Sequence, residues 1–159
     1  MPTKISLMKN PDKIIMNPDD VNEVIEAILT KCGFTVVRGT AHSEVDIRAR
    51  KSDIELIVES RGNQAYKNRG TDIVFDSAQL DIQLSEQVTQ IMRFQQTIST
   101  NHKTIFVMAN PEISRLTERV RKISKGLDKL GILRLWVGDF DQIHIEGPDY
   151  IREQLKELL

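Results

Sequence analysis

A chain of 159 residues, 40% of them hydrophobic, is long enough for one domain that buries about 70% of the surface exposed by its unfolded form. The formal net charge of -1 excludes whole-molecule attraction to a polyanion, so any nucleic-acid binding requires a local basic patch. The single Cys32 excludes a disulfide framework within the chain and no Cys/His cluster has zinc-site spacing, which together predict a cytoplasmic protein.

The opening stretch MPTKISLMKNPDKII holds no long apolar run, so neither a signal peptide nor a membrane span is expected. Residues 1–16 read as a polar lead-in, either an arm or an added strand around Lys13 to Met16, and residues 17–159 as one α/β domain. Asn17 followed by Pro18 predicts a capped helix start, and Val21, Val24, Ile25, Ile28 and Leu29 predict one apolar face ending at Gly33. Glu23 and Glu26 lie beside that stripe, where acids complement the positive helix end. Phe34 to Arg38 predicts a strand, and the connection to Ser43 contains His42, either simply exposed or in contact with a substrate phosphate.

The stretch EVDIRARKSDIELIVESR, Glu44 to Arg61, reads as a β-hairpin. Val45, Ile47 and Ala49 alternate with Asp46, Arg48 and Arg50, and Ile54, Leu56 and Val58 alternate with Ile57, Glu59 and Arg61. With an even number of loop residues around Lys51 to Asp53, Asp46 falls opposite Glu59 and the two carboxylates share a face with Arg61. Two carboxylates about 4 Å apart repel by about 4 kcal/mol at an effective dielectric of 20, so the pair needs a cation or a proton. Oxygen ligands suit a hard ion such as Mg²⁺ or Mn²⁺. A solvated strand face is the alternative account of the same spacing.

Residues 62–77 follow as the least regular segment, in which Gln64, Tyr66, Lys67 and Arg69 offer the amide, aromatic and cationic groups of a nucleic-acid clamp. Arg48, beside the hairpin site, suits a phosphate contact. Ala78 to Thr100 predicts the longest helix, with Leu80, Leu84, Val88, Ile91 and Phe94 inward and a set of glutamines suited to a helix or subunit contact. Lys103 to Ala109 predicts a central parallel strand. Asn110 and Pro111 are expected to open a single helix with Ile113, Leu116, Val120, Ile123, Leu127 and Leu130 inside. Its outer face, with Arg119 and Lys122 among the cations, is the best candidate phosphate track. Two strands, Ile132 to Val137 and QIHIEG, and a helix from Pro148 complete an α/β sandwich with a mixed sheet.

The order helix, three strands bearing Asp46 and then Glu59-Ser60-Arg61, helix, strand resembles the PD-(D/E)xK superfamily of restriction-endonuclease-like nucleases. Its type IV restriction nucleases and Holliday-junction resolvases are the nearest in pattern, over about Pro18 to Gly138. The resemblance implies a three-layer sandwich and a divalent-metal-dependent endonuclease acting on DNA. In it Asp46 and Glu59 hold Mg²⁺ or Mn²⁺ with the Ser60 carbonyl as an extra ligand, and Glu23 reaches the site from the first helix. Arg61 stands where that family usually has lysine, which keeps open a catalytically inactive DNA-binding or oligomerisation module. Cutting both strands of a duplex usually takes two sites, so a homodimer is expected.

Overall fold

The computed structural model describes residues 1–40, 45–98 and 103–159. In chain order its elements begin with β1 (Thr3–Lys4), α1 (Pro18–Lys31), β2 (Thr35–Arg38), β3 (Ile47–Lys51), β4 (Ile54–Ser60) and β5 (Ile73–Val74). They continue with α2 (Ser77–Thr97), β6 (Lys103–Pro111), α3 (Ser114–Arg121), α4 (Ser124–Lys129), β7 (Ile132–Val137), β8 (Ile143–Glu146) and α5 (Asp149–Lys156).

Six strands form one mixed sheet in the order β2-β3-β4-β6-β7-β8. β2, β3 and β4 are an antiparallel meander, β6 and β7 run parallel to β4, and β8 returns antiparallel. α1 and α5 bury Val21, Ile25, Leu29, Ile151 and Leu155 against one face. α2, α3 and α4 bury Leu80, Ile91, Phe94, Leu116, Val120 and Leu127 against the other. Because helices cover both faces, every residue of β4 is buried, including Glu55, Glu59 and Ser60. Among the described residues no helix is long and apolar enough to cross a membrane.

The helix starts follow local chemistry. Asn17 Oδ1 accepts from the Asp20 N–H and Asp20 Oδ2 from the Asn17 N–H, both at 3.0 Å, and Pro18 takes the first turn, where a missing donor costs nothing. Asp76 and Gln79 repeat the reciprocal cap at the start of α2.

Two expectations about the later chain are corrected. Asn110 and Pro111 do not open a helix: they close β6, and the Asn110 amide donates to Gln87 Oε1 at 3.0 Å. The expected single helix is split into α3 and α4. After Arg121 the N–H groups of Lys122 and Ile123 bond three residues back, to Arg119 and Val120, which tightens the turn and takes Ile123 out of helical geometry at φ -121°, ψ 10°. Leu127 thereby reaches the core, whereas Ile123 and Leu130, expected inside, are each 40% exposed.

The lead-in is tied down rather than loose. Its strand lies at Thr3–Lys4, not at Lys13 to Met16, and pairs antiparallel with β5. Arg115 clasps the buried Asp12 carboxylate with Nε at 2.9 Å and Nη2 at 2.6 Å. The fully buried Asn63 joins the same carboxylate at 3.0 Å and also bonds the Ile14 carbonyl and the Met16 backbone. Residues 62–76 are thus fastened to the N-terminal segment and to α3, since Arg115 also donates to the Phe75 carbonyl.

Candidate functional site

Lys51 pairs with Ile54, so the β3–β4 turn has two loop residues, Ser52 and Asp53, and Ser52 adopts φ 55°. Ile47 then lies opposite Val58, and Asp46, one residue further out, comes beside Glu59. Asp46 is fixed from two sides: its Oδ2 accepts from the Ser60 N–H at 2.8 Å and its carbonyl from the Gly39 N–H at 2.7 Å. Gly39 must be glycine for this approach, because a Cβ there would sit 2.1 Å from the Val45 carbonyl oxygen. At the other end of the motif a Cβ on Gly62 would sit 2.1 Å from the Met16 carbonyl oxygen, so the chain leaving Arg61 presses directly on the start of α1.

Glu59 is 5% exposed and its carboxyl pKa is pushed up to about 9. Burial is the main cause, followed by the hydrogen bond and the negative charge of Asp46, against a smaller opposing effect of Arg61. Near neutral pH, then, the Glu59 carboxyl keeps its proton. Arg61 lies along α2, with Nη2 3.3 Å from Glu59 Oε2, Nη1 3.3 Å from Gln83 Oε1 and 3.7 Å from Glu86 Oε2. Ser60 Oγ and Arg61 Nε are buried without a hydrogen-bond partner.

Sequence reading missed Gln87. It is fully buried under the strand ends, its Nε2 donates to the carbonyls of Glu59 at 2.9 Å and Ala109 at 3.2 Å, and its Oε1 accepts from Asn110. One side chain of α2 thereby ties together the ends of β4 and β6. Its spacing from Leu84 and Ile91 does place it on the inner stripe, so the signal was present and overlooked because glutamine is polar. Of the other helix glutamines, Gln95 does make a helix contact, donating to the Leu130 carbonyl after α4.

The remaining expected site residues are dispersed. Glu23 is exposed on α1 and no hydrogen bond or ion pair joins it to Asp46 or Glu59; the buried polar residue of that turn is Asn22. Gln64, expected to touch DNA, is instead 2% exposed, and its amide donates to the carbonyls of Thr71 and Ile73, which shapes the loop. Lys67 and Arg69 are exposed in that loop, and the Arg69 guanidinium stacks 5.0 Å from the centre of the Tyr66 ring. Arg48 is exposed on β3 opposite Ile57. Arg119 is committed to joining α3 to α2, with Nε 2.7 Å from Asp81 and further bonds to the carbonyls of Arg115 and Ser77. Its withdrawal from the outer face, with that of Arg115, leaves Arg121, Lys122, Lys125 and Lys129 as the exposed cations there. His42 and Glu44 lie outside the described residues.

Two adjoining carboxylates are a donor set for a hard cation, since Mg²⁺ is usually held by one or two carboxylates while keeping several waters. No group of three or more His, Cys, Asp or Glu arranged to hold a metal occurs among the described residues. A separate cavity of about 500 Å³, lined in part by Asp12, Glu112, Asp139 and His144, does not include Asp46, Glu59 or Arg61. Comparison with protein-family models, with curated proteins and with solved structures finds no match to this chain.

Proposed function

We propose that this protein is a divalent-metal-dependent endonuclease of the restriction-endonuclease-like type, hydrolysing DNA phosphodiester bonds. The observation that carries the reading is the contact of the buried Glu59 carboxyl with Asp46: burial first, and then the hydrogen bond and charge of Asp46, push the Glu59 pKa up to about 9. Such a pair is short of positive charge, and a dication held by Asp46 and Glu59, with the Ser60 carbonyl beside them, would neutralise it. Mg²⁺ or Mn²⁺ bound there would supply Lewis acidity toward the phosphodiester and acidify a bound water. The chain's own residues position the site: Ser60 N–H and Gly39 N–H orient Asp46, and Gln87 holds the Glu59 backbone. Arg61 stays charged at any working pH, so it acts on charge and orientation and not as a base. The placement of a mixed sheet between two helical layers with carboxylates at the end of β4 supports the same reading, as does the resemblance of the Asp46, Glu59, Arg61 pattern.

Cleavage of plasmid DNA with Mg²⁺ or Mn²⁺, set against Asp46→Asn and Glu59→Gln, tests this. Metal-dependent cutting by the wild type and none by either variant is expected, with weaker Mn²⁺ binding by calorimetry in both. Undiminished Mn²⁺ affinity in both variants would reject the site. A homodimer belongs to this reading, and a monomeric mass by light scattering would count against it.

A second reading, a catalytically silent DNA-binding or oligomerisation module of the same architecture, is favoured by one observation. Arg61 Nη2, 3.3 Å from Glu59 Oε2, already places a cation beside the carboxylate.

A further inference from the structure

Beside Arg61 the surface of α2 is hollowed into a groove of about 420 Å³ lined by Arg61, Ser85, Glu86, Thr89, Gln90 and Arg93. Ser85, Thr89 and Arg93 recur every four residues and Glu86 and Gln90 form the adjacent row, so all five side chains belong to one strip of the helix. Ser85 to Arg93 covers about 12 Å of helix axis, with Arg93 at the far end from Ser85. The lining is chemically uniform: two guanidiniums, two hydroxyls and one amide, all able to donate hydrogen bonds, against the single carboxylate of Glu86. Two cations and one anion leave the groove positive in a chain whose net charge is -1.

The one anion is weakly placed. Glu86 Oε2 is 3.7 Å from Arg61 Nη1, and its side chain is 58% exposed, so solvent screens this pair strongly. Arg93 is likewise held lightly, through Nη1 to Gln90 Oε1 at 3.4 Å. Arg93 can therefore turn toward an oxyanion entering the groove without breaking a buried interaction, while Arg61 keeps Nη2 on the buried Glu59 carboxyl and meets the oxyanion through Nη1, in place of its long contacts to Gln83 and Glu86.

We propose that this groove is a phosphodiester-binding site for a nucleic-acid strand, in which Arg93 and Arg61 clamp the backbone, Ser85 and Thr89 donate hydroxyl hydrogen bonds, and the phosphate displaces Glu86 from Arg61. That the strand then runs on to Asp46 and Glu59 rests on the endonuclease reading; the occupancy of the groove does not. Contacts of this kind carry no base preference, because they address only the sugar-phosphate backbone. Their signature is salt dependence.

The test is binding of a fluorescent oligothymidylate to the full chain without added metal, followed by anisotropy over a range of salt, beside amide spectra of α2 titrated with inorganic phosphate. Arg93→Ala is expected to weaken the oligonucleotide about tenfold and to lower the salt slope by roughly 0.7, the share of one neutralised phosphate on a single strand. Glu86→Gln is expected to tighten it about threefold, a gain that a merely structural role for Glu86 would not give. Both positions are exposed, so folding is preserved. No oligonucleotide binding by the wild type, or unchanged affinity and slope in both variants, would overturn the proposal; shifts with inorganic phosphate but no oligonucleotide binding would overturn it in favour of a free-phosphate pocket. Binding that depends on Arg93 in a protein that never cuts DNA would reject the endonuclease reading and uphold the groove, whereas metal-dependent cutting with Arg93-independent binding would do the reverse.

Discussion

The Gln87 side chain donates to the main-chain carbonyl of Glu59 at 2.9 Å, from a position on α2 with no solvent exposure. A helix side chain thus holds the backbone of the residue whose carboxyl meets Asp46. Gln87→Leu keeps the volume roughly but leaves the Glu59 carbonyl and the Asn110 amide without their partner. The expected loss is about 1–3 kcal/mol in urea unfolding, together with weaker Mn²⁺ binding. Full stability in this variant would mean that the strand ends do not depend on α2.

Glu59 sets a pH dependence. Its native pKa of about 9 lies above the unfolded value of 4.5, so between these limits the native state binds the extra proton. Wild-type stability should therefore be complete below the lower value and decline as pH rises through the upper one. Glu59→Gln lacks the titrating group and should decline less over the same interval in metal-free buffer. Urea midpoints for both proteins near pH 5 and near pH 9 measure the difference, and parallel slopes would refute the assignment to Glu59.

Arg61 separates the two functional readings. If its guanidinium serves catalysis by orienting the attacking water or a phosphate oxygen, Arg61→Ala lowers cleavage by about two orders of magnitude, Arg61→Lys keeps or raises it, and metal affinity changes little. If it only neutralises Glu59 from its position 3.3 Å away, Arg61→Ala raises Mn²⁺ affinity and still does not cut. Manganese titration beside a cleavage assay distinguishes these outcomes.

Asp12 anchors the N-terminal segment. Its carboxylate is buried against Arg115 at 2.6 Å and receives Asn63, so Asp12→Ala strands two donors at once. A loss of about 3 kcal/mol is expected. Thermal or urea unfolding checks it, and a cost below about 0.5 kcal/mol, the range of an ordinary surface change, would show that the strap contributes little.

The sequence by itself determined the elements whose signals are local. Asn17-Pro18 fixed the start of α1 through capping chemistry, and alternation of apolar residues fixed β3 and β4. The two-residue loop then made the facing of Asp46 and Glu59 a matter of parity. The unbroken apolar run of β6 announced a strand covered on both faces and parallel to its neighbours. Tertiary structure alone decided what distant residues do to one another. Arg119 and Lys122 look alike as outer-face cations, but only packing of α3 on α2 brings Asp81 to Arg119 and leaves it half-buried and paired. Gln64 and Lys67 share one polar loop, but the loop's own turn buries the first and exposes the second. The break at Ile123 seats Leu127 in the core and leaves Ile123 and Leu130 at the surface, an outcome that the helical period does not foretell. The pKa of Glu59 is likewise a property of the fold, because a carboxyl at the end of a strand is raised only when helices exclude water from it and a second carboxyl is brought beside it.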